Sequence, residues 1–150
     1  MNSRSFATVL PVMCVLLAFG SGCVAVDGGA IELAWTVRTE DGRACECDTP
    51  GITSVSLCIQ GCAMSDDLGN CQGDTSCPLE TFPCTRGRGS TGFSVATGRT
   101  RIWITASRGD AGMSGITVPE AVLRDVTKGD VTELNALLIS VPSTTPTCHP

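Results

Sequence analysis

Residues 30–39, AIELAWTVRT, alternate apolar and polar side chains without a break. Ile31, Leu33, Trp35 and Val37 fall on one side of an extended chain, and Glu32, Ala34, Thr36 and Arg38 on the other. That is the two-residue period of a strand with one face in a core and one in water. The pattern recurs downstream. SVSLCIQ, residues 54–60, sets Val55, Leu57 and Ile59 to one side and Cys58 to the other. In GFSVATGRTRIWITAS, residues 92–107, Phe93 and Val95 share a face, the chain turns around Thr97–Arg99, and Ile102, Ile104 and Ala106 make the next inward face. NALLISVP, residues 135–142, closes the series with Leu137, Ile139 and Val141.

Turn chemistry separates these runs. EDGRACECDTPG, residues 40–51, holds Asp-Gly and Pro-Gly steps, and SRGDAG, residues 107–112, is a further turn. GITVP, residues 115–119, reads as a short strand closed by Pro119. PEAVLRDVTKGD, residues 119–130, fits two readings. Pro119 suits a helical first turn, with Val118, Val122 and Val126 at helical spacing, while Val122, Arg124 and Val126 fit a strand equally well. Residues 61–92 contain four of the cysteines after Gly61 and little periodicity, so they read as a long polar loop that needs pinning. The fold class predicted is all-β: one disulfide-rich β-sandwich over residues 30–141, followed by an extended tail, residues 142–150.

The chain of 150 residues contains ten cysteines. Cys14 and Cys23 lie in or next to the one long apolar run, and eight remain: Cys45, Cys47, Cys58, Cys62, Cys71, Cys77, Cys84 and Cys148. An even number in an exported chain predicts a disulfide framework. Cys45 and Cys47 are too close along the strand to suit each other and should bond to different partners, and one bridge should tie the Cys148 tail to the body.

The apolar run itself reads as a targeting segment. MNSRSFATVLPVMCVLLAFGSGC, residues 1–23, has one cation, Arg4, then apolar residues from Phe6 to Phe19 broken by Pro11, then Gly20, Ser21 and Gly22 before Cys23. The run is shorter than the roughly 20 residues a bilayer-spanning helix needs. These residues resemble a bacterial lipoprotein signal, with Gly20 standing where that family has an aliphatic residue. The resemblance implies a signal peptide over residues 1–22, a thioether diacylglycerol on Cys23, and a short anchor linker over residues 23–29. Val24, rather than Asp, after the cysteine implies sorting to the outer membrane in enteric-type bacteria. An ordinary secretory signal cut after Ala25 shares the same layout, and either one takes the remainder out of the cytoplasm. Downstream, the Trp-bearing first strand, TFPCTRG (residues 81–87) and GRTRIWITAS (residues 98–107) look like the immunoglobulin-like or transthyretin-like sandwiches of bacterial secreted lipoproteins. Such sandwiches host binding, adhesion and spacer roles.

Chemistry is sparse. The formal net charge is −5, which argues against nucleic acid as a partner, because phosphates demand a basic surface. GRGSTG, residues 87–92, has the glycine spacing of a dinucleotide loop but lacks the strand before it and the helix after it, so it predicts a hairpin tip and no cofactor. Cys45, Cys47, Cys58 and Cys62 could hold zinc as thiolates, though the spacing is not that of a finger. Asp66, Asp67, Asn70 and Asp74 offer oxygens to calcium without EF-hand spacing. A small secreted hydrolase would need a base, and His149 in the tail is the single histidine. The expectation is therefore no metal, no catalytic residue and no enzyme.

One surface stands out. If Ile102, Ile104 and Ala106 point inward, then Arg99, Arg101 and Trp103 point outward together, and guanidinium beside indole can hold an anionic group or a sugar face. The competing arrangement covers Trp103 with neighbouring structure, the arginines lying over it. RGD, residues 108–110, is too common a turn tripeptide to carry a function. The sequence predicts a lipid-anchored, non-enzymatic envelope module, its partners the membrane through the anchor and an envelope protein or glycan.

Overall fold

The computed structural model describes residues 26–64, 70–109, 115–145 and 148. The segment expected to be a signal, residues 1–22, together with Cys23, Asp66, Asp67, Asp110 and His149, lies outside the described residues.

Among the described residues, nine strands form two sheets. β1 (Ala30–Thr39), β2 (Ala44–Cys45), β5 (Arg88–Ser90), β8 (Val131–Glu133) and β9 (Leu137–Val141) make the first; β3 (Ser54–Gly61), β4 (Thr75–Pro83), β6 (Gly98–Ser107) and β7 (Val122–Val126) make the second, in the order β4-β3-β6-β7. β1 is the spine of the first sheet. Its odd-numbered residues bond along one edge, Trp35 N–H to Gly87 O and Thr39 N–H to Arg43 O. There β5 and β2 run antiparallel to it. Its even-numbered residues bond along the other, where β8 and β9 run parallel. No α-helix occurs among the described residues.

The alternation in β1 places Ile31, Leu33, Trp35 and Val37 in the core, facing Val55 and Leu57 of β3 and Ile102, Ile104 and Ala106 of β6. Each such side chain, fully buried, contributes about 1.5–3 kcal/mol of transfer free energy. Trp35 is the largest of them, and a buried indole N–H needs an acceptor. It finds one in Cys84 O at 2.9 Å. Phe82 lies beside it, ring centroids 6.1 Å apart. A Cβ at Gly89 would stand 2.6 Å from the Phe82 ring, so the glycine here serves close packing.

Four disulfides close the framework: Cys45–Cys148, Cys47–Cys84, Cys58–Cys77 and Cys62–Cys71. Cys45 and Cys47 take different partners and Cys148 ties the tail to the body, as the spacing predicts.

The structure corrects the reading elsewhere. The segment expected to be a loop, residues 61–92, contains β4, a 3-10 turn over Cys84–Arg86, and β5. β4 is an edge strand with Phe82 as its one fully buried residue, so it lacks the apolar alternation that betrays a half-buried strand. Three residues of β4 oppose one of β3 between the pairs Leu57↔Glu80 and Ile59↔Ser76, and Cys77, one of the three, bridges to that one residue, Cys58. Phe93 does not share Val95's buried side: it sits in a turn, 41% exposed, while Val95 is 2% exposed. GITVP contributes a single bridge, Thr117 to Ser140. Between helix and strand for PEAVLRDV, the strand wins, because β6 offers an open edge that pairs Ile102↔Val122 through Gly98↔Val126. The fold also begins before Ala30: Gly28 N–H donates to Phe93 O at 3.0 Å, and Gly29 bridges Val95.

Candidate binding surface

β6 positions the predicted surface. With Thr100, Ile102, Ile104 and Ala106 buried, the strand's pleat sends Arg99, Arg101 and Trp103 to the outer face, where all three are half-buried. The Arg101 guanidinium lies over the Trp103 ring, Cζ 5.5 Å from the centroid. Trp103 stands directly opposite Cys58 on β3. Cys58 points outward yet is fully buried, its bridge to Cys77 lying in the same layer. The outer face thus carries a small second apolar layer of indole and disulfide, with arginine stems laid across it.

The two expected arrangements are both present in part. Arg101 covers one side of Trp103, and neither arginine has found an anion. The Nε atoms of Arg99 and Arg101 are buried without a hydrogen-bond partner. Asp125 stands opposite Arg99 in the β6–β7 register, but no ion pair joins them. Gln60, opposite Arg101, spends its amide on Cys71 O at 3.0 Å and Gly73 O at 3.4 Å, holding the 71–73 backbone alongside the face. Arg99 also borders an open cleft of about 300 Å³ with Asp74, Ser76 and Thr97 on its rim. A guanidinium is the strongest of the side-chain donors toward an anionic acceptor, which it can meet with two parallel N–H bonds.

The four cysteines weighed as zinc ligands are not free to act together. Cys45, Cys47, Cys58 and Cys62 belong to four different disulfides, which removes the thiolate set a zinc ion would need. Among the described residues no three His, Cys, Asp or Glu side chains gather as metal ligands. Asn70 and Asp74 are described and exposed, while Asp66 and Asp67 are not described.

A feature that periodicity did not reveal is a cleft of about 430 Å³ on the first sheet, where β5 and β2 stop short of each other along β1. Thr36, Arg38, Glu46, Asp48 and Thr85 line it beside the Cys47–Cys84 bridge. Two loops distant in sequence build it, and only the cysteine pairing joins them. Of the groups around it, Arg38 donates to Gly42 O at 3.0 Å and the Trp35 indole N–H to Cys84 O at 2.9 Å.

No protein-family description, no curated protein and no solved structure matches the chain. The four disulfides are consistent with an exported protein, since such bridges persist in oxidising compartments. No helix among the described residues is long and apolar enough to cross a membrane.

Proposed function

We propose that the chain is an exported, lipid-anchored cell-envelope protein, attached through Cys23, and that its domain is a non-enzymatic binding module of immunoglobulin-like or transthyretin-like type. Its ligand is an envelope glycan bearing carboxylate or sulfate, bound on the outer face of β6. The observation that carries this reading is the pair of arginines on one face, one stacked on Trp103 and both with a shielded, unpartnered Nε–H. An acidic sugar satisfies both features at once: its anion accepts from the guanidinium groups, and its ring lies along the indole. Overall charge adds nothing to such affinity in a chain of net charge −5, so selectivity falls to this local geometry.

Binding of the folded protein to an array of acidic and neutral glycans tests the proposal. The wild type should retain a carboxylated or sulfated glycan, and Arg101→Ala or Trp103→Ala should weaken it at least tenfold while circular dichroism stays unchanged. Equal retention by the folded variants, or no preference for acidic over neutral glycans, would contradict it. Intact mass of protein from its native membrane fraction tests the anchor: a diacylated N-terminus at Cys23 is expected, and an unlipidated one further along would refute it.

A further inference from the structure

We infer that the pole of the sandwich carrying Phe93 and Val131 is built to lie against the lipid surface in which the anchor sits. This inference rests on the acylation of Cys23 proposed above. Phe93 is 41% exposed and Val131 46%, and both flank the point where the chain enters the fold. Gly28 N–H donates to Phe93 O at 3.0 Å, Gly129 N–H donates to Gly28 O at 3.0 Å, and Val131 pairs with Ala30. Met64, 75% exposed, follows the end of β3 at the same pole, next to Cys62, whose N–H donates to Arg99 O. Of the exposed large hydrophobic residues among the described ones, Leu138 alone lies elsewhere, on the flank of the first sheet. Single exposed apolar residues are ordinary, but their gathering at one end is not.

The tether forces that end toward the bilayer. Gly28 and Gly29 are buried, and a Cβ would run into Val95 O at Gly28 and stand 2.6 Å from Thr127 O at Gly29. The chain is therefore clamped from Gly28 onward and can pay out no further slack. Five residue steps separate Cys23 from Gly28, a reach of at most about 18 Å. Within that reach an apolar, partly exposed pole meets the interface rather than bulk water. Around Phe93 and Val131 the exposed charges among the described residues include Asp27, Lys128, Asp130 and Glu133, an acidic balance that favours a zwitterionic leaflet over an anionic one. The ligand face on β6 then runs along the side of the domain, leading away from that pole from Arg99 beside it to Arg101 and Trp103.

Full-length protein from its native membrane, reconstituted in zwitterionic vesicles containing a headgroup-chelated gadolinium lipid, tests this by amide NMR relaxation. Intact mass of the same sample reports the anchor separately. Resonances of Phe93, Val131 and Gly129 should broaden several-fold more than those of Gly42 and Ser107 at the opposite pole. Phe93→Ser combined with Val131→Thr should remove most of the difference, and adding anionic lipid should reduce it. If Cys23 is acylated and both poles broaden equally, or the Gly42 pole broadens more, the docking inference is overturned while the anchor stands. If the mass shows no acyl chain and the protein leaves the vesicles, the anchor falls and the inference falls with it.

Discussion

β1 and β6 are the long strands of the two sheets, and their inward faces follow the same rule; their outward faces do not. Along β1 the outward residues Glu32, Ala34, Thr36 and Arg38 are all exposed, whereas along β6 Arg99, Arg101, Trp103 and Thr105 are all half-buried. Charge alone does not separate them, since both carry arginine. The difference is what lies alongside. β1 is flanked by short strands that leave its outer side bare, and β6 lies between the eight-residue β3 and the five-residue β7, with the Cys58–Cys77 bridge and the backbone at 71–73 raised beside it. An outer face acquires a recognition surface when its neighbours shield it, because shielding is what makes a guanidinium N–H worth satisfying.

The largest effects should be blind to this difference. Leu33→Ala in β1 and Ile104→Ala in β6 each open a cavity at a fully buried site and should cost about 2–5 kcal/mol in urea denaturation. A marked inequality would mean that one sheet is not packed as described. Next comes the bridge under the recognition face. Cys58→Ala with Cys77→Ala releases a link between residues 19 apart in sequence and should cost about 3 kcal/mol. The same pair should shift Trp103 fluorescence to the red and leave Trp35 unmoved; Trp103→Phe in the same background identifies the emitter.

The outer faces themselves should then separate. Trp103→Ala should cost about 1–2 kcal/mol from lost packing, and Thr36→Ala less than about 0.5 kcal/mol. Smallest of all is an acid effect at the β1–β2 turn. There the Asp41 carboxyl is held below its ordinary value of 3.8, first by the Thr39 hydroxyl and also by Arg43, whose Nε lies 3.1 Å from Oδ2. A depressed carboxyl contributes stability above its unfolded value and loses it as pH falls through the folded one. Asp41→Asn should therefore lower Tm slightly at neutral pH and flatten the wild type's slight decline below about pH 4.

How much of this could be read beforehand depended on one-sided burial. β1, β3, β6 and β9 announce themselves because a core on one side and water on the other imprint a period of two. β4 stayed hidden as an exposed edge, β8 is only three residues long, and β7 became a strand because β6 had an edge to fill. The side on which Arg99, Arg101 and Trp103 project follows from their parity with Ile102 and Ile104. Their shielding does not, since it depends on which strands sit beside β6 and on Cys58 meeting Cys77. The cysteine pairing was beyond spacing for the same reason. The first-sheet cleft, made by two loops that meet through the Cys47–Cys84 bridge, left no local trace at all.

The chain has two tryptophans, one in each sheet, and they make the decisive measurement internal to the molecule. Trp35 is buried with its N–H bonded to Cys84 O, while Trp103 lies outward beneath Arg101. Titrating labelled protein with a carboxylated or sulfated oligosaccharide, and following the indole and arginine Nε–H signals by NMR, should move Trp103, Arg99 and Arg101 saturably and leave Trp35 in place. Shifts at Trp35 and the first-sheet cleft with none at Trp103 would contradict the assignment of the binding face to β6.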